Sequence, residues 1–293
     1  MYIIRADGNT AIGMGHVMRC LSIADAMKDR NIEPLFMTAD NDCAAMIEDR
    51  GFEVCVLGTD YRDMESELPL IREFLRQRTK DVDASSVILV DSYQVTSKYY
   101  EELRTMAKVA CLEDMGQSYP VDLLVNYNIY GPKLIYDNKI TCATLLGTGY
   151  QPLRREFRQD MQYDIKDRIT DVMITTGGSD PYFAARAFAD AFLFEKELEK
   201  SQIRYHIISG PFNTHAEELH KLYDENPWVE IHEHVTCMKE IMKQCDVVLS
   251  ATGSTIYEVS ALGVPLIAFY FAENQRQGAD MLSEISHVIN LSL

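Results

Sequence analysis

Residues 12–20 read Ile-Gly-Met-Gly-His-Val-Met-Arg-Cys. A histidine directly after two closely spaced glycines, at the mouth of a run with helical spacing, is a candidate general base. Gly13 and Gly15 permit positive φ or a close approach of backbone to a ligand. His16 falls at a helix N-terminus, where the positive end of the helix dipole disfavours the imidazolium. A neutral imidazole is the form that accepts a proton near pH 7. The competing reading is a histidine that only caps its helix, and the two glycines alone are a weak signal because the third glycine of a dinucleotide fingerprint is missing.

Two further loops carry small residues. Thr176-Gly-Gly-Ser-Asp-Pro181 follows an apolar run, and Ala251-Thr-Gly-Ser-Thr-Ile-Tyr-Glu258 follows another. Backbone N–H groups in loops that open helices hold phosphate without any lysine. Asp180 and Pro181 also fit an N-cap and first helical position. Glu258, one turn inside the second helix, either accepts the hydroxyls of a ribose or simply favours the helix dipole. Two such loops, one with an acid behind it, point to a sugar nucleotide. Weaker candidates are His232 and His234, which form an HxH pair, and His215 and His220, five apart. The HxH pair shows no third ligand, so no metal site is expected. The tyrosines at 61, 99, 100 and 127–136 are expected to line surfaces or clefts. No GxSxG, Walker A or Ser/His/Asp arrangement is readable.

Elements with a regular alternation must position these residues. Apolar runs at 2–6, 34–38, 53–57, 87–91, 109–113 and 123–127 read as strands in the first half. Runs at 171–176, 204–209, 229–232, 247–250 and 265–270 do so in the second. Helical patterns lie between them, at 17–30, 97–106, 183–200, 215–226, 238–244 and 255–262. Strands apolar on both faces, separated by helices, imply parallel sheets with right-handed crossovers. The pattern restarts near residue 170. It predicts two α/β domains, 1–160 and 161–293, with a hinge around 150–170. Ligands in such sheets bind at the carboxyl ends of strands where the strand order reverses.

Composition bounds the function. The 293 residues carry a formal charge of −17 with 28 Lys and Arg against 45 Asp and Glu, so a nucleic-acid partner is not expected. The start of the chain lacks the regions of a signal peptide, and no apolar run reaches the ~18 residues of a membrane span. Seven cysteines, an odd number without CxxC spacing, fit reduced thiols in a cytoplasm.

The opening "RADGNTAIGMGHVMRCLSIADAM" resembles that of the UDP-2,4-diacetamido-2,4,6-trideoxy-β-L-altropyranose hydrolases of pseudaminic acid biosynthesis and of related spore-coat polysaccharide proteins. The resemblance continues through "LVDSYQV", "CLEDMG", "LLVNYNIYG", "PLRREF", "TTGGSDP", "SATGSTIYEVSALGVPLIAF" and "ENQ". The second half also resembles the donor-binding domain of the peptidoglycan N-acetylglucosaminyltransferase. The resemblance implies a GT-B architecture, with two Rossmann-like domains facing a central cleft. It implies that His16 activates water against the anomeric carbon and expels UDP with inversion, without metal or cofactor. It places Gly13 and Gly15 beside the diphosphate and sugar, Gly177, Gly178, Ser179, Gly253, Ser254 and Thr255 on the leaving phosphate, Glu258 on the ribose, and backbone near Val235 on uracil. Asp91, Tyr93, Asn126 and Asn128 become candidates for the acetamido and hydroxyl groups. Asn274 and Gln275, with Thr252 (where many relatives have glycine), complete the expected contacts. Some relatives run on past the position of Leu293. The expected partner is the UDP-sugar alone, bound by a monomer. The alternative is a GT-B glycosyltransferase using a UDP-N-acetylhexosamine donor.

Overall fold

The computed structural model describes residues 1–78, 86–141, 143–159, 163–195, 202–271, 273–282 and 288–291, with the backbone alone at 273–274 and 288–291. The described residues form two compact units, Met1–Pro152 and Leu153–Leu293.

The first unit is built on seven parallel strands: β1 (Tyr2–Ala6), β2 (Leu35–Thr38), β3 (Glu53–Val56), β4 (Val87–Asp91), β5 (Lys108–Leu112), β6 (Leu123–Asn126) and β7 (Thr144–Leu146). Their order is β3-β2-β1-β4-β5-β6-β7. The helices are α1 (Gly15–Lys28), α2 (Ala44–Asp49), α3 (Leu68–Arg78) and α4 (Ser97–Arg104). Ile3, Met37, Ile88, Val90, Leu103 and Cys111 are buried in one apolar cluster. Each fully buried aliphatic side chain of this kind contributes roughly 1.5–3 kcal/mol. Tyr99 and Tyr100 are fully buried there too, so they are core residues and line no surface, contrary to expectation. Burial obliges the Tyr99 hydroxyl to find a partner, and it donates to Glu67 at 2.6 Å.

The second unit repeats the pattern with β8 (Asp171–Thr175), β9 (Arg204–Ile208), β10 (Val229–His232), β11 (Val247–Ala251), β12 (Leu266–Phe269) and β13 (Val288–Leu291). The order is β10-β9-β8-β11-β12-β13, all parallel. Helices α5 (Ala184–Leu193), α6 (Ala216–Tyr223), α7 (Met238–Gln244), α8 (Thr255–Leu262) and α9 (Glu273–Leu282) alternate with the strands. Ile174, Ala185, Ile207, Leu219, Leu249 and Phe269 fill its core.

In both sheets the first strand lies in the middle and the chain then runs first to one edge and later to the other. The order reverses between β1 and β4, and again between β8 and β11. A crevice opens there because the two connections leave in opposite directions. The residues after those four strand ends are therefore the ones to inspect.

Candidate active site

Both strand ends at the first switch point supply titratable groups. Helix α1 starts at Gly15, and its N-cap position, Met14, makes no side-chain cap. Asn9 shapes the preceding loop: its side-chain oxygen accepts from the N–H groups of Ala11 and Ile12 at 2.9 and 3.0 Å, and its carbonyl accepts from Gly13 at 2.8 Å. Gly13 has φ 73°, a left-handed conformation that costs other residues roughly 1–2 kcal/mol. The loop delivers His16 to the end of β4, where its Nδ1 lies 2.6 Å from Asp91 Oδ1. The imidazole does not cap its helix.

Asp91 is 1% exposed. Burial alone would push its carboxyl up, but the charge of Arg19, with hydrogen bonds from Arg19 and His16, holds it well below the usual carboxylate range. Arg19 grips it with a fork: Nε reaches Oδ2 at 2.5 Å and Nη2 reaches Oδ1. Because Asp91 is ionised, the short contact with His16 needs the hydrogen on Nδ1. That tautomer leaves the Nε2 lone pair as the basic site, and among the described residues no protein group bonds it. An imidazole so held is the oriented base of a base–carboxylate dyad.

Arg19 extends the network. Its Nη1 donates to Asp114 Oδ2 at 3.1 Å and to the Tyr127 hydroxyl at 2.8 Å. Tyr93, 47% exposed, donates to the same Asp114 oxygen at 2.8 Å and sets its ring edge-on to His16, centroids 4.6 Å apart. Asp114 Oδ1 is buried and has no hydrogen-bond partner. An orphan carboxylate oxygen beside an oriented histidine is a ready acceptor for a ligand N–H or O–H. The Cys20 thiol points at Asp91 Oδ2 from 3.6 Å, and burial pushes its pKa well up, so it is no nucleophile.

Several expected sugar contacts are placed differently. Asp91 has both oxygens occupied and faces His16, so it orients the base and is closed to a ligand. Asn126 is fully buried: its amide donates to the Tyr136 hydroxyl at 2.9 Å and its oxygen accepts from Asn128 N and Nδ2 at 3.0 Å each. It braces the turn that presents Asn128. Arg19 and Asp114 are the site residues that spacing did not reveal, whereas Tyr127 is one of the tyrosines expected to line a surface or cleft. Arg19 lies three residues after His16, on the same helical face, which is the one local signal for it.

In the second unit, Gly177 takes φ 89° after β8, and the Gly178 carbonyl accepts from Phe212 N at 2.9 Å. Gly210 packs against this loop so closely that an added Cβ would stand 2.2 Å from the Gly177 carbonyl oxygen. Helix α5 begins at Ala184 and its N-cap position is Phe183, so Asp180 is not the N-cap residue and Pro181 is not the first helical one, contrary to expectation, although Asp180 still reaches the helix start. The buried Asp180 carboxylate accepts from Ala184 N at 2.7 Å and Ala185 N at 2.9 Å. That helix end is already filled by an anion. Helix α8 differs: its N-cap, Ser254, makes no side-chain cap, and the start follows Gly253 directly. Thr252 and Gln275 come together, the threonine hydroxyl donating to the Gln275 carbonyl at 3.2 Å. The side chain of Asn274 lies outside the described residues. Val235 stands in the loop between β10 and α7. Glu258 is buried and both its oxygens take Arg154, Nε and Nη2 at 2.6 Å each. Burial pushes its carboxyl up and the arginine opposes that. A ribose would have to compete with this fork.

Comparison with known proteins places this geometry. The chain superposes over 99% of its length on MurG of Acinetobacter baumannii, covering 85% of that chain, with a TM-score of 0.66 at 13% identity. The fold is of the GT-B type. Residues 171–284 match the glycosyltransferase family 28 C-terminal domain. Over 96% of both chains it is 22% identical to the UDP-2,4-diacetamido-2,4,6-trideoxy-β-L-altropyranose hydrolase of Campylobacter jejuni. Over 99% of its length it is 24% identical to the spore coat polysaccharide biosynthesis protein SpsG of Bacillus subtilis, covering 83% of that protein. It is 26% identical to an uncharacterised protein of Methanocaldococcus jannaschii, of which it spans only 57%. Of these relatives, the Campylobacter jejuni protein is named as an enzyme that acts on a nucleotide sugar. Among the described residues no helix is long and apolar enough to cross a membrane.

Proposed function

We propose that the protein is a hydrolase of a UDP-sugar, cleaving the C1–O bond of UDP-2,4-diacetamido-2,4,6-trideoxy-β-L-altropyranose in surface-glycan biosynthesis. The observation that carries this reading is the Nδ1 contact of His16 with a buried, ionised Asp91. It directs a lone pair on Nε2 outward, as a base for water requires. Water gives its proton to Nε2, its oxygen forms the new bond to C1, and the C1–O bond to UDP breaks with inversion. Asp91 then faces an imidazolium and stabilises it without taking its proton.

The remaining roles follow from charge. The unpartnered Asp114 Oδ1 accepts a hydrogen from the sugar, from an acetamido N–H or a hydroxyl. Gly13 and Gly15 leave the backbone of the His16 loop open to the ligand. UDP departs with negative charge on its β-phosphate. The Gly177 N–H is taken by the Thr175 hydroxyl at 3.3 Å, but the N–H groups of Gly178 and Ser179, and those of Ser254 and Thr255 at the uncapped start of α8, suit an anion. Such a mechanism draws its electrostatic help from backbone dipoles and needs no metal in the step.

The test is UDP release from that UDP-sugar in EDTA and without any acceptor, followed by NMR. Release of free sugar of inverted configuration is expected. A second reading, transfer to an acceptor hydroxyl, is favoured by the glycosyltransferase family 28 domain. UDP release that appears only on adding an acceptor would establish that reading instead.

A further inference from the structure

The second sheet carries a cluster of metal-ligating side chains that the proposed reaction does not use. Strand β10 pairs with β9 so that Glu230 lies opposite His206. Residues i and i+2 of a strand share a face, so His232 joins the same side. His206 is buried, His232 half-buried, and Glu230 exposed. His234, the other half of the HxH pair, lies past the end of β10 with a left-handed φ of 50°. Only His232 of the HxH pair takes part, joined by Glu230 of its own strand and by His206 of the neighbouring strand.

We propose that His206, His232 and Glu230 form a zinc site that clips the edge strand β10 to β9. His206 Nδ1 and His232 Nε2 are 3.0 Å apart. Glu230 places Oε2 3.5 Å from His206 Nδ1 and Oε1 3.7 Å from His232 Nε2. Zinc bonds of about 2.0–2.1 Å to nitrogen and oxygen give a tetrahedron with edges near ~3.3 Å. The two nitrogens stand a few tenths of an ångström closer than that edge, and Glu230 turns one oxygen toward each of them, so one ligand atom from each residue lies within 4.8 Å of the other two. A fourth vertex remains for water.

The outer partners fit as well. Asp171 Oδ1 lies 3.1 Å from His206 Nε2. A hydrogen on that nitrogen leaves Nδ1 as the ligand atom, and a carboxylate behind a metal-binding imidazole fixes its ring and raises its basicity. The hydrogen now between the two rings then belongs to His232 Nε2. On metal binding it moves to the other nitrogen of that ring, so no net proton need leave the histidines. Arg204 stands 3.9 Å from Asp171 and offsets part of the second carboxylate. Asp171 opens β8, whereas the phosphate loop follows Thr175, five strand residues or roughly 17 Å away. The site is thus structural in position and separate from the diphosphate chemistry.

The experiment uses the full chain, stripped with EDTA, dialysed, and titrated with zinc chloride by calorimetry alongside thermal unfolding. One equivalent of zinc should bind and raise Tm. His232→Gln and Glu230→Gln should each weaken binding about tenfold or more and abolish the Tm shift. Both residues are solvent-facing enough for the variants to fold. His220→Gln removes a separate surface group, in which His220 meets Asp224 at 2.7 Å and Glu233 at 3.1 Å, and should change nothing. Absence of saturable heat, binding that survives both His232→Gln and Glu230→Gln, or binding lost in His220→Gln would overturn the proposal.

Discussion

Replacing Asp91 with asparagine tests the dyad most directly. The side chain keeps its size, but it no longer requires a hydrogen on His16 Nδ1 and can place its own amide hydrogen there. The imidazole would then carry its hydrogen on Nε2 and lose the basic lone pair where water is activated. Loss of the tautomer in a serine protease triad of this logic costs about 10⁴ in kcat, or roughly 5 kcal/mol at 1.36 kcal/mol per tenfold. The same change removes the negative charge from under Arg19, which is buried and keeps Asp114, Tyr127 and the amide oxygen of the new side chain. Leaving a buried charge short of its partner costs about 3–5 kcal/mol, and the surviving contacts put the expected loss at the low end. Stability of roughly 5–15 kcal/mol for a domain survives that. UDP release by NMR, UDP affinity by calorimetry and urea unfolding separate the effects. Turnover should fall about 10³–10⁴-fold with UDP affinity unchanged. A folded Asp91→Asn protein that turns over within threefold of wild type would refute the assignment of the base.

Other outcomes follow from the same contacts. Acid should remove what Asp91 contributes. Its pKa is depressed in the fold, so its stabilisation is full above the unfolded value of ~3.9 and is lost as pH falls through the folded value. The stability gap between wild type and Asp91→Asn should therefore be flat above about pH 5 and shrink below ~4 in urea titrations. Gly210→Ala drives a Cβ into the Gly177 carbonyl. At ~1–3 kcal/mol of overpacking, UDP affinity should fall roughly ten- to a hundredfold by calorimetry. Arg5→Met strands Glu67 and Asp7, which it holds at 2.7 and 2.6 Å in the core. It should cost about 3–5 kcal/mol in urea, and adding Glu67→Gln should restore part of that. Asp180→Ala uncaps α5 and should cost about 1–2 kcal/mol by the same measurement.

The central strands were legible because a strand covered by helices on both faces is apolar on both faces. Runs such as Tyr2–Ala6 and Val87–Asp91 have the bounds read from the sequence. Strand β7, three residues at a sheet edge, is too short to carry a pattern, and helix α3 hides behind the charges that cover its outer face. His16 was legible because its glycines and helix start are local. Arg19 was not, since its partners lie 72, 95 and 108 residues further on. Asp91 and Asn126 were legible as polar groups at strand ends, but whether a side chain there turns outward or inward depends on neighbours that spacing does not reveal. The third member of the histidine cluster needed the β9–β10 register for the same reason.

The two units share a strand order yet differ in what they place at its reversal. After β1, β4 and β5 stand His16, Asp91 and Asp114, all titratable and tied by one arginine. After β8 and β11 stand glycines and hydroxyls, with the nearest carboxylates already committed, Asp180 to a helix start and Glu258 to Arg154. In a chain of net charge −17 an anionic ligand gains nothing from the overall field. Backbone N–H groups with no carboxylate free to repel the ligand are then the available means of holding a diphosphate. The first unit shows the opposite need, because a proton acceptor must be held against water by a fixed charge. Topology thus offers the same crevice twice, and under the proposed function the residue types at the strand ends divide proton transfer from anion binding.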